Sequence, residues 1–217
     1  MASDADGAAK KILFLSRLQV GSGNKSTLDR IRGYFEESGY ECVSVHTDEV
    51  KCFDDIRQCD VKCRFNAAIG LHAYHAGRWL RDLGCPYILM FGGTDLNECS
   101  TDVVKLKVMT EAVERARFLV TFGENMVQQV DSLWPGLSKD SRLKVIPQGI
   151  SVGIVGEMAS IHEQYGIPGD CKMLTMVGAI RPVKDQLYLL DTFNAWRQQT
   201  KTPVYLTIIG PVVCDFI

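Results

Sequence analysis

The sequence has no block of five like charges, no 18-residue apolar span, no Cys-x-x-Cys pair and no low-complexity tract. Each absence removes a class of function. Basic and acidic residues number 24 and 26, for a net charge of −2. The chain therefore offers no electrostatic footprint for nucleic acid or an anionic membrane surface. Without a long apolar span it has no candidate transmembrane helix. Its start, MASDADGAAKK, carries two acids and no apolar core of the signal-peptide kind. Of the cysteines, Cys52, Cys59 and Cys63 are the grouping to consider for zinc, and their spacing fits no common finger or ribbon. The expectation is no metal, with reduced thiols in a cytoplasmic setting.

What is present is a composition for a folded core, 46% hydrophobic and 23% charged over 217 residues. Short apolar runs alternate with helical patterns. KILFLS (11–16), ECVSVH (41–46), AAIGLH (67–72), PYILMF (86–91), ARFLVTF (116–122) and LKVIP (143–147) read as strands. Helices are expected over 26–38, with Leu28, Ile31, Tyr34 and Phe35 on one side, through Trp79, Leu80 and Leu83, and from about Asp102 to Arg115. Strands alternating with helices predict an α/β chain with a doubly wound, Rossmann-like parallel sheet across 11–150. A break follows PQGI (147–150), with a short helix near 156–165. A second unit, 151–217, holds the strands KMLTMVG (172–178) and PVYLTIIGP (203–211) around a helix through Leu187, Leu190 and Phe193. Two strands are too few to cover their own edges, so this unit reads as the first βαβ piece of a second Rossmann-like domain, and VYLTIIG as an edge open to self-association.

The stretch SRLQVGSGNKSTLDR (16–30) joins the first strand to the first helix. It is not a Walker A loop, because Gln19 and Asn24 occupy the two required glycine positions. It begins a dinucleotide fingerprint with Gly21 and Gly23 but meets Ser26 at the third glycine, and Asp48 stands where a ribose-binding acid would. Two readings stay open. Gly23, Asn24 and Thr27 form an anion-binding entrance to the helix, or the glycines make a turn before a cap at Ser26 or Thr27.

Further residues gather where a parallel sheet places its ligand crevice, at the carboxyl ends of strands. GLHAYHAG (70–77) puts His72 at the end of the third strand, and FGGTDLNE (91–98) puts Gly93, Thr94 and Asp95 at the end of the fourth. Each also has a plainer role, His72 as a core imidazole and Asp95 as a helix cap. In VGAIRPVKDQLYLLDTF (177–193), Arg181 and Lys184 lie between strand and helix, where two cations and free N–H groups suit a diphosphate.

Taken in order, the glycine loop, LHA, GTDL, VIPQG and G-x-x-R-P-V-K resemble the nucleotide-sugar glycosyltransferases of the GT-B fold, families 1 and 4, from about residue 11 to 211. The resemblance implies two facing Rossmann-like domains, 11–150 on the acceptor side and 151–217 as part of the nucleotide-sugar side. It implies metal-free transfer with retention from a nucleotide sugar, most commonly a UDP-sugar, to a small-molecule or glycan acceptor. Arg181 and Lys184 would grip the donor diphosphate, with Gly23, Asn24 and Thr27 facing the same phosphates. His72 and Asp95 would be catalytic, and Gly93 and Thr94 would line the sugar and acceptor side. Two departures stand out: Gly92 replaces a histidine common before GTD, and no later glutamate pair of the family's pattern is found. The second departure predicts a truncated form, inactive or serving as a non-catalytic binding species. A dinucleotide oxidoreductase is the reading from another class.

Overall fold

A computed structural model describes residues 10–19, 22–59, 65–150, 159–180 and 184–212, without the side chains of 159–161. Gly21, Cys63, Arg181 and Cys214 lie outside the described residues. The chain divides into two units, Met1–Ile150 and Ser151–Ile217.

The first unit is built on six parallel strands: β1 (Lys11–Ser16), β2 (Glu41–His46), β3 (Ala67–Leu71), β4 (Tyr87–Met90), β5 (Phe118–Thr121) and β6 (Leu143–Val145). Their order is β2-β1-β3-β4-β5-β6. The chain steps outward from β1 to β2, then returns past β1 and continues the other way. Right-handed crossovers in opposite directions place their helices on opposite faces. Helix α1 (Gly23–Glu37), between β1 and β2, packs Leu28, Ile31 and Phe35 with Ile12 and Phe14 on one face. The other face takes α2 (Phe53–Gln58), α3 (Gly77–Leu80), α4 (Gly93–Asn97), α5 (Val103–Arg115) and α6 (Glu124–Leu133), through Ile56, Leu80, Leu96, Met109 and Val130. Strand β1 serves both faces by alternation: Ile12 and Phe14 point to the first, Leu13 and Leu15 to the second. The expected doubly wound parallel sheet is present.

Local chemistry moves several boundaries. Helix α1 begins at Gly23, three residues before the expected start, because the Ser22 side chain accepts from the Lys25 amide at 3.2 Å and caps the helix there. Its end is set by Gly39, at φ +84°, after which the Tyr40 amide returns to the Phe35 carbonyl at 3.0 Å. Tyr34, expected on the buried side of α1, is 68% exposed. The helix expected through Leu83 is the single turn of α3, and GTDL folds as the separate short helix α4. Strand β3 stops at Leu71, one residue short of His72.

In the second unit, α7 (Ala159–Gln164) precedes two parallel strands, β7 (Lys172–Val177) and β8 (Val204–Ile209), joined by a 3-10 turn at Gln186–Leu189 and α8 (Leu190–Gln199). The strands end at a close approach: a Cβ on Gly210 would lie 1.8 Å from the Gly178 carbonyl oxygen. Leu174, Val177, Leu187, Tyr188 and Ile209 are exposed. No helix among the described residues is long and apolar enough to cross a membrane.

Candidate functional site at the strand-order reversal

The strand order reverses between β1 and β3. Connections leave these two strands in opposite directions, which opens a crevice at their carboxyl ends. The loops after β1 and β3 border it, and the loop after β4 lies alongside.

Asp95 ties two of these loops together. It is fully buried, and its Oδ2 accepts from the amides of Ala73 at 2.6 Å and Gly92 at 3.0 Å, while Oδ1 accepts from Leu96 at 3.1 Å. Burial raises its pKa to about 6, against the lowering by these amides. Thus one carboxylate joins the chain after β3 to the first turn of α4, twenty-two residues on. Its contacts are those of a positioning group.

His72 is also spent internally. It is 2% exposed and sits at φ +92°, a conformation a non-glycine residue holds only when its surroundings enforce it. Its Nδ1 accepts from the amides of Tyr74 at 3.2 Å and His75 at 3.1 Å. The proton therefore resides on Nε2, which donates to Thr94 Oγ1 at 3.0 Å. Burial, followed by the charges of His75, Arg17 and Lys105, lowers its pKa to about 3.

His75, which sequence reasoning passed over, is half-buried with its ring 4.4 Å from that of His72. Its buried Nδ1 has no hydrogen-bond partner among the described residues. Burial and the cations Arg17, Arg78 and Lys105 lower its pKa to about 4, with Asp48 opposing. The signal was in the sequence, since the second histidine of LHAYHAG follows the first by three residues. The surrounding cations are engaged: Arg17 with Asp48 at 3.0 Å, Lys105 with Asp102 at 3.7 Å, and Arg78 with the Thr47 carbonyl at 2.9 Å. Asp48, weighed as a ribose-binding acid, is instead the partner of Arg17. His72, His75 and Cys99 bring donor atoms within 4.8 Å of one another, as a metal site would need. Both nitrogens of His72 are already committed, so a metal could take His72 only by breaking the loop's own hydrogen bonds.

The other candidates are placed as follows. Gly23 and Asn24 form the first turn of α1, with open space beside Gly23. Thr27 is buried in the next turn and its hydroxyl accepts from Gln148 Nε2 at 3.2 Å, so it fastens the 146–150 segment. Gly93 opens α4 beside free space, and Thr94 is held by His72. Lys184 is exposed in the second unit, just before Asp185 at φ +40°. Arg181 falls outside the described residues, so the structure does not speak to its pairing with Lys184.

No family model matches the chain. Glycosyltransferase 1 domain-containing protein 1 of Xenopus tropicalis is 32% identical over 208 residues, which cover 94% of this chain and 59% of that protein. The chain thus spans about three fifths of this relative's length. Anabaena Alr3699/HepE in complex with UDP and glucose aligns with a TM-score of 0.67 at 14% identity, covering 94% of this chain and 62% of that one. The same protein in complex with UDP-glucose aligns at 0.65 and 15% identity, with the same coverage. At such identity these structures speak to the fold. The chain is similar to glycosyltransferase 1 domain-containing protein 1 along nearly its whole length and shares the Rossmann-like α/β fold of Alr3699/HepE.

Proposed function

We propose that this chain serves in sugar transfer from a UDP-sugar, with retention at the anomeric carbon, to the hydroxyl of a small-molecule or glycan acceptor in the cytoplasm. The observation that carries the reading is the 32% identity along nearly the whole chain. The complexes of its structural neighbour with UDP, glucose and UDP-glucose suggest the donor. In this reading residues 11–150 form the acceptor side and 151–217 contribute to the nucleotide-sugar side.

The chemistry breaks the bond between the anomeric carbon and the β-phosphate oxygen, and the nucleoside diphosphate leaves with that electron pair. Groups that meet the growing charge lower the barrier. Arg181 and Lys184 are the cations proposed for that task. Thr94 and Gly93 line the sugar side, with His72 and Asp95 fixing the loops that carry them. No metal enters this scheme.

Calorimetric titration with UDP, UDP-glucose and GDP tests it. Wild type should bind UDP and UDP-glucose saturably, and the Arg181→Ala, Lys184→Ala double variant should bind roughly tenfold or more weakly. Equal binding by the double variant would remove these residues from the donor site. A second reading, a non-catalytic form that associates with its own copies, is favoured by the exposed apolar residues Leu174, Val177 and Ile209 on β7 and β8. Sedimentation that stays monomeric across concentration, together with turnover, would set it aside.

A further inference from the structure

We infer that Gln186 is a positioning residue for the donor end of the reaction, its side chain tying to the sheet the turn that carries Lys184. The inference rests on the sugar-transfer reading, in which Lys184 meets the donor diphosphate.

The helical stretch after β7 begins by inverting the usual partition of side chains. Leu187, Tyr188, Leu189 and Leu190 are exposed, whereas Gln186 is 9% exposed. Glutamine belongs mostly to surfaces, so a buried one needs a hydrogen-bond partner. Its partner is the Ala179 carbonyl, to which Nε2 donates at 2.7 Å across seven residues. Ala179 is itself fixed in the sheet. On one side of it the Gly178 amide donates to the Ile209 carbonyl at 2.9 Å, and on the other the Ile180 amide donates to the Pro211 carbonyl at 2.8 Å. The far end of the turn is thereby referenced to β7 and to the chain leaving β8.

Lys184 stands two residues before Gln186, and Asp185 between them sits at φ +40°. A non-glycine residue keeps that left-handed conformation where its surroundings enforce it. Two hydrogen bonds frame it here: the Asp185 carbonyl accepts from the Tyr188 amide at 3.0 Å, and Gln186 holds Ala179. The exposed Lys184 side chain is long and flexible, and its ammonium is a point charge without directional grip. Its use to a diphosphate therefore depends on where the backbone starts it. A turn tied to the sheet sets that start before the ligand arrives, so binding spends less on ordering it.

The test is calorimetric titration of the full chain and its variants with UDP. Gln186→Met keeps the length of the side chain and removes the donor, and it should weaken UDP binding roughly 3- to 10-fold. Combined with Lys184→Ala it should add little to the loss that Lys184→Ala causes alone, because Gln186 acts through Lys184. A residue that only stabilises the fold would give losses that multiply. Gln186→Glu sets an acceptor against the Ala179 carbonyl at pH 8 and regains a donor on protonation, so its deficit against wild type at the same pH should shrink toward pH 5.5. In the unaltered chain, the Gln186 carboxamide protons should exchange more slowly than those of the exposed Gln198 and Gln199. Exchange as fast as theirs would overturn the inference without any variant, so misfolding of a variant leaves the question decidable. If UDP binds and either the Gln186 variants match wild type or the two losses multiply, the assignment to Gln186 is wrong and the sugar-transfer reading stands. If wild type does not bind UDP, that reading fails and the inference falls with it.

Discussion

Burial and neighbouring cations keep both histidines of the 72–76 loop neutral, with pKa values near 3 for His72 and near 4 for His75 against an ordinary 6.5. Between those values and 6.5 the unfolded chain binds more protons than the folded one, so stability is complete above pH 6.5 and falls as pH drops toward 4. Asp95 acts in the opposite sense: its value near 6 lies above the ordinary 3.8, so its folded form gains from acid across that interval. Two histidines oppose one carboxylate, and the melting temperature should fall between pH 7 and pH 4.5. His75→Gln should make that fall shallower, and an unchanged slope would show that the ring is solvated in the folded state. The sequence placed His72 at the end of β3, which it directly follows, and Thr94 and Asp95 at the end of β4, whereas they lie beyond it in α4. A buried imidazole at His72 and a capping role for Asp95 were legible, but their partners twenty-two residues apart and the φ of +92° at His72 were not. No local pattern announces either.

At the level of elements, strand patterns were the most readable signal, since continuous apolar runs such as KILFLS are what a sheet buried on both faces requires. Helices α2, α4 and α6 were not expected. The first two are five or six residues long, too short for a clear helical period, and α6 lies in a stretch rich in glutamine and other polar residues. The meeting of β7 and β8 at Gly178 and Gly210 was also invisible in sequence, because it is set by the distance between two backbones. Gly210→Ala puts a methyl group 1.8 Å from a carbonyl oxygen that cannot rotate away. The strand ends must separate, at a cost of about 1–3 kcal/mol or more. Amide exchange across β7 and β8 should accelerate in this variant while β1–β5 stay protected, and unchanged exchange would mean that the two strand ends part without cost.

Over the molecule as a whole, burial is uneven. The first unit buries a cluster on each face of its sheet, whereas Val204 and Gln186 are the buried residues among those described in the second. Apolar burial is the main source of folding stability, so the second unit should open first. Exchange measured along a urea gradient should release α8 and β8 before α5 and β4, and simultaneous release would mean one cooperative unit. The division near residue 150 was readable from the break after PQGI, and the parallel, doubly wound character of 11–150 from its alternation of elements. Strand order was not readable, because it is fixed by which edges meet in space. The bond between Gln148 and Thr27 has a mechanical meaning as well. Strand β6 is a three-residue edge strand, and tension on the chain leaving at Ile150 would otherwise peel it from β5 one hydrogen bond at a time. With Gln148 fastened to α1 across the sheet, that pull meets the body of the first unit before it reaches the edge, much as a strain-relief clip protects the end of a cable.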